Sequence, residues 1–286
     1  MQSAEQIVAS SVTLVTLPAI FTAVKKVVDD PDTTAMDLAR VIFADPAMTA
    51  RVLKLINSAF WGMSRQIDSL SRAVSLLGML QVHDMVLSTS VVETFDRMRP
   101  DRMDVARFWR GSVFRGLAAT ALARKGKLVD LGRVFTEGLM SDLGHMVLYT
   151  KLPVLALQAS DQTRDRPCEL APTEMALIGC DYAQVGAALT DLWQLPPCFG
   201  SAIRHQNDPE QAGSFALEAA LLHIAGLLFE LPAGARERAE QLARITPFAW
   251  RTIGLAADCV PEILAEVDAN LLATARMFGV PLGAST

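Results

Sequence analysis

The residues of this chain that could carry out chemistry group around one carboxylate, that of Asp142. The apolar spacing of residues 137–148 predicts an amphipathic helix, and His145, three positions after Asp142, shares its helix face. A carboxylate and an imidazole side by side are both ligands for divalent transition metals, so the pair could form half of a metal site. An ordinary hydrogen bond or a charge at a helix end is the simpler interpretation.

Other common catalytic patterns are absent from the sequence. It contains no phosphate-binding loop of the form Gly-x-x-x-x-Gly-Lys-Ser/Thr and no serine nucleophile elbow. The four cysteines are Cys168, Cys180, Cys198 and Cys259, and they form no Cys-x-x-Cys pair. This wide spacing argues against a zinc ribbon and against a disulfide framework, and it predicts free, buried thiols.

The elements that must position these groups are predicted to be helices. Helical periodicity runs along the whole chain, and few stretches show the alternation typical of half-buried strands. Thr34 three residues before Asp37, and Asp45 directly before Pro46, are both signals of a helix start. Gly62 suits a helix end. The sequence therefore predicts an all-α fold.

Length and charge define the broad class. A chain of 286 residues can form two packed helical subdomains, and the charged, proline-containing segment 97–102 predicts a division into residues 1–100 and 101–286. The net charge of −5 and the lack of a basic recognition helix weigh against a nucleic-acid binder. Polar residues interrupt the apolar runs before they reach the roughly 18–20 residues of a membrane span, and no signal peptide is visible. We therefore expect a cytoplasmic protein that binds neither nucleic acid nor a membrane.

Eight segments in the same order give the chain a specific resemblance to one family. The segments are LPAI at residues 17–20, DPAMTARVLKLINSAF at 45–60, IDSLSRAVSLLG at 67–78, FWRGS at 108–112, GLMSDLG at 138–144, VGAAL at 185–189, WQLP at 193–196 and IRHQNDP at 203–209. With them the chain resembles the bacterial HDOD (HD-related output domain) proteins over approximately residues 17–228. The resemblance implies an N-terminal helical bundle packed on an HD-phosphohydrolase-like helical core. It also implies a role in signal transduction as a non-catalytic output module.

The resemblance also indicates where an active HD phosphohydrolase would hold its metal ion. In this sequence Gly111 falls where the first histidine is expected, Ser141 replaces the histidine of the His-Asp pair, Asp142 is kept, and Gly226 occupies the approximate place of the last aspartate. One ligand of four remains, which is too little to hold an ion against its hydration.

Two further positions also differ from related sequences, which often carry histidine where this chain has Tyr182 and Gln206. Together these differences predict no metal, no cofactor and no hydrolytic activity. The alternative is a divergent metal-dependent HD-type phosphohydrolase that uses Asp142 with the histidines described next.

The expected function is binding of a partner. A signalling protein is the expected partner and a small nucleotide is a second candidate. In a fold of this type, His205 and His223 lie on separate helices that could converge near Asp142 and His145, so these four residues form the candidate ligand cleft.

A second candidate site lies on the N-terminal bundle. Phe60, Trp61 and Met63 are predicted to form an exposed contact patch, because aromatic residues and methionine are favoured where protein partners dock. Local structure at a helix end is the alternative interpretation.

Overall fold

The protein is described by a computed structural model that covers residues 1–61, 63, 65–128, 130–164, 166 and 169–281. It is 75% helical and has no strand in these residues, which confirms the predicted all-α class. The predicted helix end at Gly62 and the predicted buried thiol of Cys168 both lie outside the described residues.

Eighteen α-helices follow one another in the described part of the chain. They are α1 (Ala4–Ala9), α2 (Val12–Val15), α3 (Ala19–Asp29), α4 (Ala35–Phe43), α5 (Pro46–Ile56), α6 (Leu70–Leu77), α7 (Met79–Asp96), α8 (Val105–Lys125), α9 (Leu131–Met140), α10 (Leu143–Lys151), α11 (Pro153–Gln162), α12 (Leu170–Ile178), α13 (Tyr182–Leu192), α14 (Pro197–Arg204), α15 (Ala216–Phe229), α16 (Ala235–Leu242), α17 (Pro247–Ile253) and α18 (Val260–Phe278). Short 3₁₀ turns lie at Ala59–Trp61, Pro209–Phe215 and Ala257–Cys259.

The helix starts in the first half follow the predicted capping signals. Thr34 and Asp37 form a reciprocal capping box at the start of α4, and the Asp45 side chain accepts a hydrogen bond from the backbone N–H of Met48 at the start of α5. Gly78 has a φ of +86°, which glycine adopts without strain, and the chain bends by 119° there between α6 and α7. These local signals set the order of helices in the N-terminal bundle.

The long helix α8 is the centre of the second half. It packs on α9, α15 and α18, while α10 packs on α13 and α13 on α14. The buried side chains form one continuous hydrophobic cluster across both halves, with α1 packed against α13 and α18 against α5. The division of the chain at residue 100 stays a prediction.

The predicted helix over residues 137–148 is wrong in one respect, because the structure breaks it into α9 and α10 at Ser141 and Asp142. The Ser141 hydroxyl donates to the carbonyl of Gly138 at 2.8 Å and helps to close the last turn of α9. At Gly144 the backbone of α10 comes so close to α13 that a Cβ atom would lie 1.9 Å from the carbonyl oxygen of Tyr182. The break therefore places Asp142 at a helix N-terminus.

One apolar segment, Pro209–Phe229, is long and apolar enough to span a membrane, which differs from the expectation from sequence. The bent pair of α6 and α7 passes the same test when the two helices are taken together. Residues 209–229 are not one straight helix, because Gly213 has non-helical angles (φ 56°, ψ −121°) and α15 itself has 14 residues. A helix of that length spans roughly 21 Å, short of the roughly 30 Å of a bilayer core. Since α15 also packs on α8, α14 and α17, it is a core helix of this fold.

The described cysteines are free and buried, as the sequence predicts: these are Cys180, Cys198 and Cys259. Burial raises the pKa of the Cys180 and Cys198 thiols to about 11. Both therefore stay protonated near neutral pH and are poor nucleophiles.

Candidate functional site

The most prominent cleft of the second half has a volume of about 720 Å³ and lies between α8, α10, α13 and the end of α15. This volume is in the range of small-molecule sites. Its charged and imidazole-bearing residues include Arg107, Arg115, Asp142, His145, His223 and Glu230. Three of the four residues predicted to form the ligand cleft, Asp142, His145 and His223, do line it.

Asp142 is the residue before α10, and its side chain accepts no capping hydrogen bond from that helix. Its residue surface is 8% exposed. The carboxylate oxygen Oδ2 lies 2.9 Å from Nη1 of Arg115, which projects from α8. Asp142 is therefore one half of a buried ion pair.

Arg115 is the residue that the sequence reasoning missed. It is 9% exposed, and its guanidinium carbon lies 4.8 Å from the centre of the Phe229 ring. The Nη2 atom is 4.0 Å from the carboxylate of Glu230. The guanidinium is thus held between the ring of Phe229 and the carboxylate of Asp142, at the inner end of the cleft.

The glycines at two of the proposed ligand positions leave the space that Arg115 uses. A Cβ atom at Gly111 would lie 2.6 Å from Nη1 of Arg115, and one at Gly226 would lie 3.8 Å from its Nε. At the third position, Ser141 is fully buried and donates its hydroxyl hydrogen to Gly138. Gly111, Gly226 and Asp142 therefore all adjoin the same guanidinium. In the described residues no group of three or more His, Cys, Asp or Glu side chains is arranged to hold a metal ion.

His145 is held by α12 and α13. Its Nδ1 lies 3.3 Å from Oε1 of Glu174, and its ring stacks on Tyr182 with centroids 4.0 Å apart. Burial on its own lowers the pKa of His145, but the attraction of Glu174 and the hydrogen bond to it outweigh burial and raise the pKa above the usual value. Glu174 also accepts a hydrogen bond from the backbone N–H of Tyr182 at 2.8 Å, which ties the two helices together.

The two nitrogens of His223 both have backbone partners. Its Nε2 accepts a hydrogen bond from the N–H of Thr246 at 3.5 Å, so Nδ1 carries the proton and donates to the carbonyl of Gln206 at 2.9 Å. Burial lowers the pKa of His223, which agrees with a neutral ring. His223 supports the wall of the cleft and has no nitrogen left for a ligand.

His205 is the one predicted cleft residue that the structure does not bring to the cleft. It is half-buried just after α14 and is not among the residues that line the cavity. The next two residues, Gln206 and Asn207, line it instead. The Gln206 amide donates to the carbonyl of Ser141 at 2.8 Å, and the Tyr182 hydroxyl donates to Asn207 at 3.0 Å.

The predicted exposed patch at Phe60, Trp61 and Met63 is wrong as an exposed surface. Phe60 is 5% exposed, and Trp61 and Met63 are half-buried against the hydrophobic core. Phe60 and Trp61 both pack on the ring of Phe135 in α9, with centroids 6.1 Å away. The apolar character that suggested a docking surface belongs to packing between the two halves of the chain.

A second buried polar group that the sequence reasoning missed lies away from this cleft. Glu137 on α9 is fully buried, and neither carboxyl oxygen has a hydrogen-bond partner in the described residues. Its nearest cation is Arg133, with Nε 3.7 Å from Oε1. Burial raises the pKa of Glu137 well above its usual value, although Arg133 opposes this.

Comparison with known proteins gives one family match. The family model of the HDOD domain matches residues 14–209, which is more than half of the chain. An uncharacterised protein of Treponema pallidum (strain Nichols) is 26% identical over 197 residues. That alignment covers 68% of this chain and 37% of the relative, so the chain spans little more than a third of the curated protein it matches.

Solved structures share the fold across nearly the whole chain. A candidate phosphohydrolase of Shewanella amazonensis SB2B has a TM-score of 0.74 at 24% identity, with 97% of this chain and 99% of that one covered. A candidate signal transduction protein of Marinobacter aquaeolei VT8 has a TM-score of 0.69 at 23% identity, covering 97% and 62%. An HDOD domain protein of unknown function from Geobacter sulfurreducens has a TM-score of 0.69 at 21% identity, covering 96% and 100%. Together they support the HD-phosphohydrolase-like helical fold.

Proposed function

This chain belongs to the HDOD domain family, and from that premise we propose that it is a bacterial signal-transduction module that hydrolyses no phosphoester and acts by binding. The proposed partner is a signalling protein in the cytoplasm, with the cleft available to a small ligand. The observation that carries the proposal is the buried ion pair between Arg115 and Asp142.

The residues around Asp142 do not fit a divalent metal ion. A hydrolytic metal site needs several anionic or imidazole ligands converging on one ion, with an open position for water. Here a permanently charged guanidinium already contacts the carboxylate, and glycines stand at two of the positions where the family resemblance implies ligands. Two cations would repel each other in this space, so an ion would have to displace Arg115 from Asp142.

Arg115 cannot supply the chemistry of the missing ion. A catalytic metal lowers the pKa of its bound water until hydroxide forms near neutral pH. A guanidinium has no acceptor and stays protonated in proteins, so it can neither ligate nor deprotonate water. The side chain keeps the positive charge of the site and leaves out the nucleophile, which favours binding over hydrolysis.

The signalling part of the proposal depends on the family and on fold-level analogy. The Marinobacter aquaeolei protein with this fold carries the name of a signal transduction protein, and the candidate phosphohydrolase of Shewanella amazonensis matches the fold with a higher TM-score, 0.74 against 0.69. Fold alone therefore leaves both activities open. The chemistry of the site favours a role in signal transduction over phosphoester hydrolysis.

Metal analysis and an activity assay test the proposal together. Purified protein is measured for bound metal by mass spectrometry and assayed with bis-p-nitrophenyl phosphate in the presence of added Mn²⁺. We expect less than stoichiometric metal and no hydrolysis above that of an Asp142→Ala control. A stoichiometric ion, with hydrolysis that Asp142→Ala abolishes, would show that the chain is a divergent phosphohydrolase.

The partner is tested separately, by affinity purification from the native bacterium. Wild-type protein and an Arg115→Met variant serve as a matched pair of baits. A signalling protein retained at stoichiometric level by the wild type supports the proposal. Retention of no protein under crosslinking conditions argues against a protein-binding module.

A further inference from the structure

The cleft contains an arginine whose hydrogen-bonding capacity is largely unused. The Arg115 guanidinium has five N–H donors, and its one contact shorter than 4.0 Å with a carboxylate in the described residues is that of Nη1 with Asp142. The Nε and Nη2 atoms face the cleft without an acceptor at hydrogen-bonding distance in this part of the chain. The Arg115 side chain is only 11% exposed, and a charged group with so little access to water is stabilised by such an acceptor.

The other carboxylates of the cleft are already engaged. The Glu230 carboxylate is 2.8 Å from Nη2 of Arg107 but 4.0 Å from Nη2 of Arg115. Asp104 accepts a hydrogen bond from the backbone N–H of Arg107 as the cap of α8. Glu174 holds His145 and the backbone of Tyr182. Of the three arginines that line the cleft, Arg107 and Arg244 are exposed to solvent and Arg115 is buried, so an anion in the cleft would be stabilised most by Arg115.

The space next to this edge is shaped for an acceptor. Gly226 presents no side chain to Nε of Arg115, and the centre of the Phe229 ring lies 4.8 Å from the guanidinium carbon. An oxyanion in the plane of the guanidinium would accept two parallel hydrogen bonds from Nε and Nη2, the arrangement that makes arginine selective for carboxylate and phosphate. The lining of the cleft also includes the apolar side chains of Met103, Phe108, Leu222 and Leu227.

We propose that the cleft binds an aromatic or otherwise apolar molecule carrying one oxyanion group, which docks on the Nε and Nη2 edge of Arg115. The inference rests on the proposed function, because a divalent ion at Asp142 would displace the guanidinium. It adds the ligand class that this function leaves open. Phosphate and carboxylate share the required chemistry, so the experiment separates them.

Two fluorescent probes test the proposal on the full chain. The first is 8-anilinonaphthalene-1-sulfonate, an aromatic molecule with one oxyanion, and the second is N-phenyl-1-naphthylamine, its counterpart without the sulfonate. We expect the wild type to bind the sulfonate probe more tightly. Arg115→Met should weaken that probe roughly tenfold to a hundredfold, as expected for charge-assisted hydrogen bonds, and leave the neutral probe within about twofold.

A variant of opposite sign keeps the test independent of folding defects. Asp142→Asn retains the arginine and removes the carboxylate that competes for it, so the sulfonate probe should bind more tightly than to the wild type. Arg40→Met, on the exposed face of α4, changes the net charge by the same amount as Arg115→Met and should leave the binding of both probes unaffected. Competition with 1-naphthyl phosphate and 1-naphthoate then decides which oxyanion the site prefers.

Each variant has a binding result that would contradict the proposed ligand class. Sulfonate binding that Arg115→Met leaves unchanged, or an equal loss for both probes, would overturn the proposal. If Arg115→Met does not fold, unchanged or weaker sulfonate binding to Asp142→Asn would overturn it instead. Hydrolytic activity of the wild type would refute the proposed function in its own assay, whereas a failure confined to the probes would refute only the ligand class.

Discussion

Removing Arg115 alone should destabilise the protein more than removing Arg115 and Asp142 together. The two side chains are each 11% exposed, with 2.9 Å between Nη1 and Oδ2. Arg115→Met removes the cation and keeps a chain of similar length, Asp142→Asn removes the anion and keeps the shape, and the double variant removes both. Together with the wild type, these three variants form a double-mutant cycle.

The magnitude follows from the burial of the two charges. Removing one partner of a buried pair costs about 3–5 kcal/mol, because the other charge stays buried and unpaired. When Asp142 is removed, Glu230 at 4.0 Å and the open side of the cleft reduce the cost of leaving the Arg115 charge without its partner. We therefore expect a loss of about 3 kcal/mol for Arg115→Met and of about 1 kcal/mol for Asp142→Asn, because Asp142→Asn leaves the guanidinium next to Glu230 and the open cleft. The double variant should be destabilised by about 2 kcal/mol, which is about 2 kcal/mol less than the sum of the two single effects.

Urea unfolding followed by helical circular dichroism measures all four free energies of unfolding, provided that the slopes with denaturant agree. The more exposed pair of Arg51 and Glu93, 2.8 Å apart, is the matched control and should couple by less than about 1 kcal/mol. A coupling for Arg115 and Asp142 no larger than that of the control would refute a buried ion pair at the centre of the cleft.

Two further predictions concern positions outside the ion pair. Glu137 has a raised pKa in the folded state, so its contribution to stability is fully present below the unfolded pKa and is lost as pH rises through the folded pKa. In urea unfolding, Glu137→Gln should therefore be more stable than the wild type at pH 8, and this difference in the free energy of unfolding should shrink toward pH 4. A difference independent of pH would contradict the raised pKa of Glu137. Gly144→Ala should destabilise by about 3 kcal/mol because its Cβ would meet the backbone of Tyr182 at 1.9 Å, whereas Gly132→Ala, with its nearest contact at 3.7 Å, should change the melting temperature little.

The helices that begin with local signals could be predicted from the sequence. Thr34 with Asp37 and Asp45 with Pro46 specify helix starts through hydrogen bonds made within four residues, and both starts are found in the structure. The break before α10 could not be predicted in this way. The break is accompanied by the close approach of Gly144 to Tyr182 in α13, a contact between residues almost forty positions apart.

The candidate site was predicted only in part, for a related reason. Asp142 and His145 were found because they lie within one short motif. Arg115 has a long side chain that reaches the site from α8, and its position depends on space left by Gly111 and Gly226. The available signal was the pair of glycines at two proposed ligand positions together with an arginine four residues after the first of them.

Exposure was the least predictable property. Phe60 and Trp61 were expected on the surface because aromatic residues are favoured where protein partners dock, but they pack on Phe135 in the other half of the chain. Arg124 adds a hydrogen bond of 2.9 Å to the carbonyl of Phe60 and lies over its ring at 4.9 Å. Packing between distant segments determines such burial, and hydrophobic pattern alone does not encode it.

The central claim is that a guanidinium, and not a divalent cation, neutralises Asp142. Anomalous diffraction from crystals grown with Mn²⁺, collected at the manganese absorption edge, tests it most directly. We expect electron density for the Arg115 guanidinium against Asp142 and no anomalous peak within ligand distance of that carboxylate. A manganese peak coordinated by Asp142, with Arg115 turned away, would contradict it.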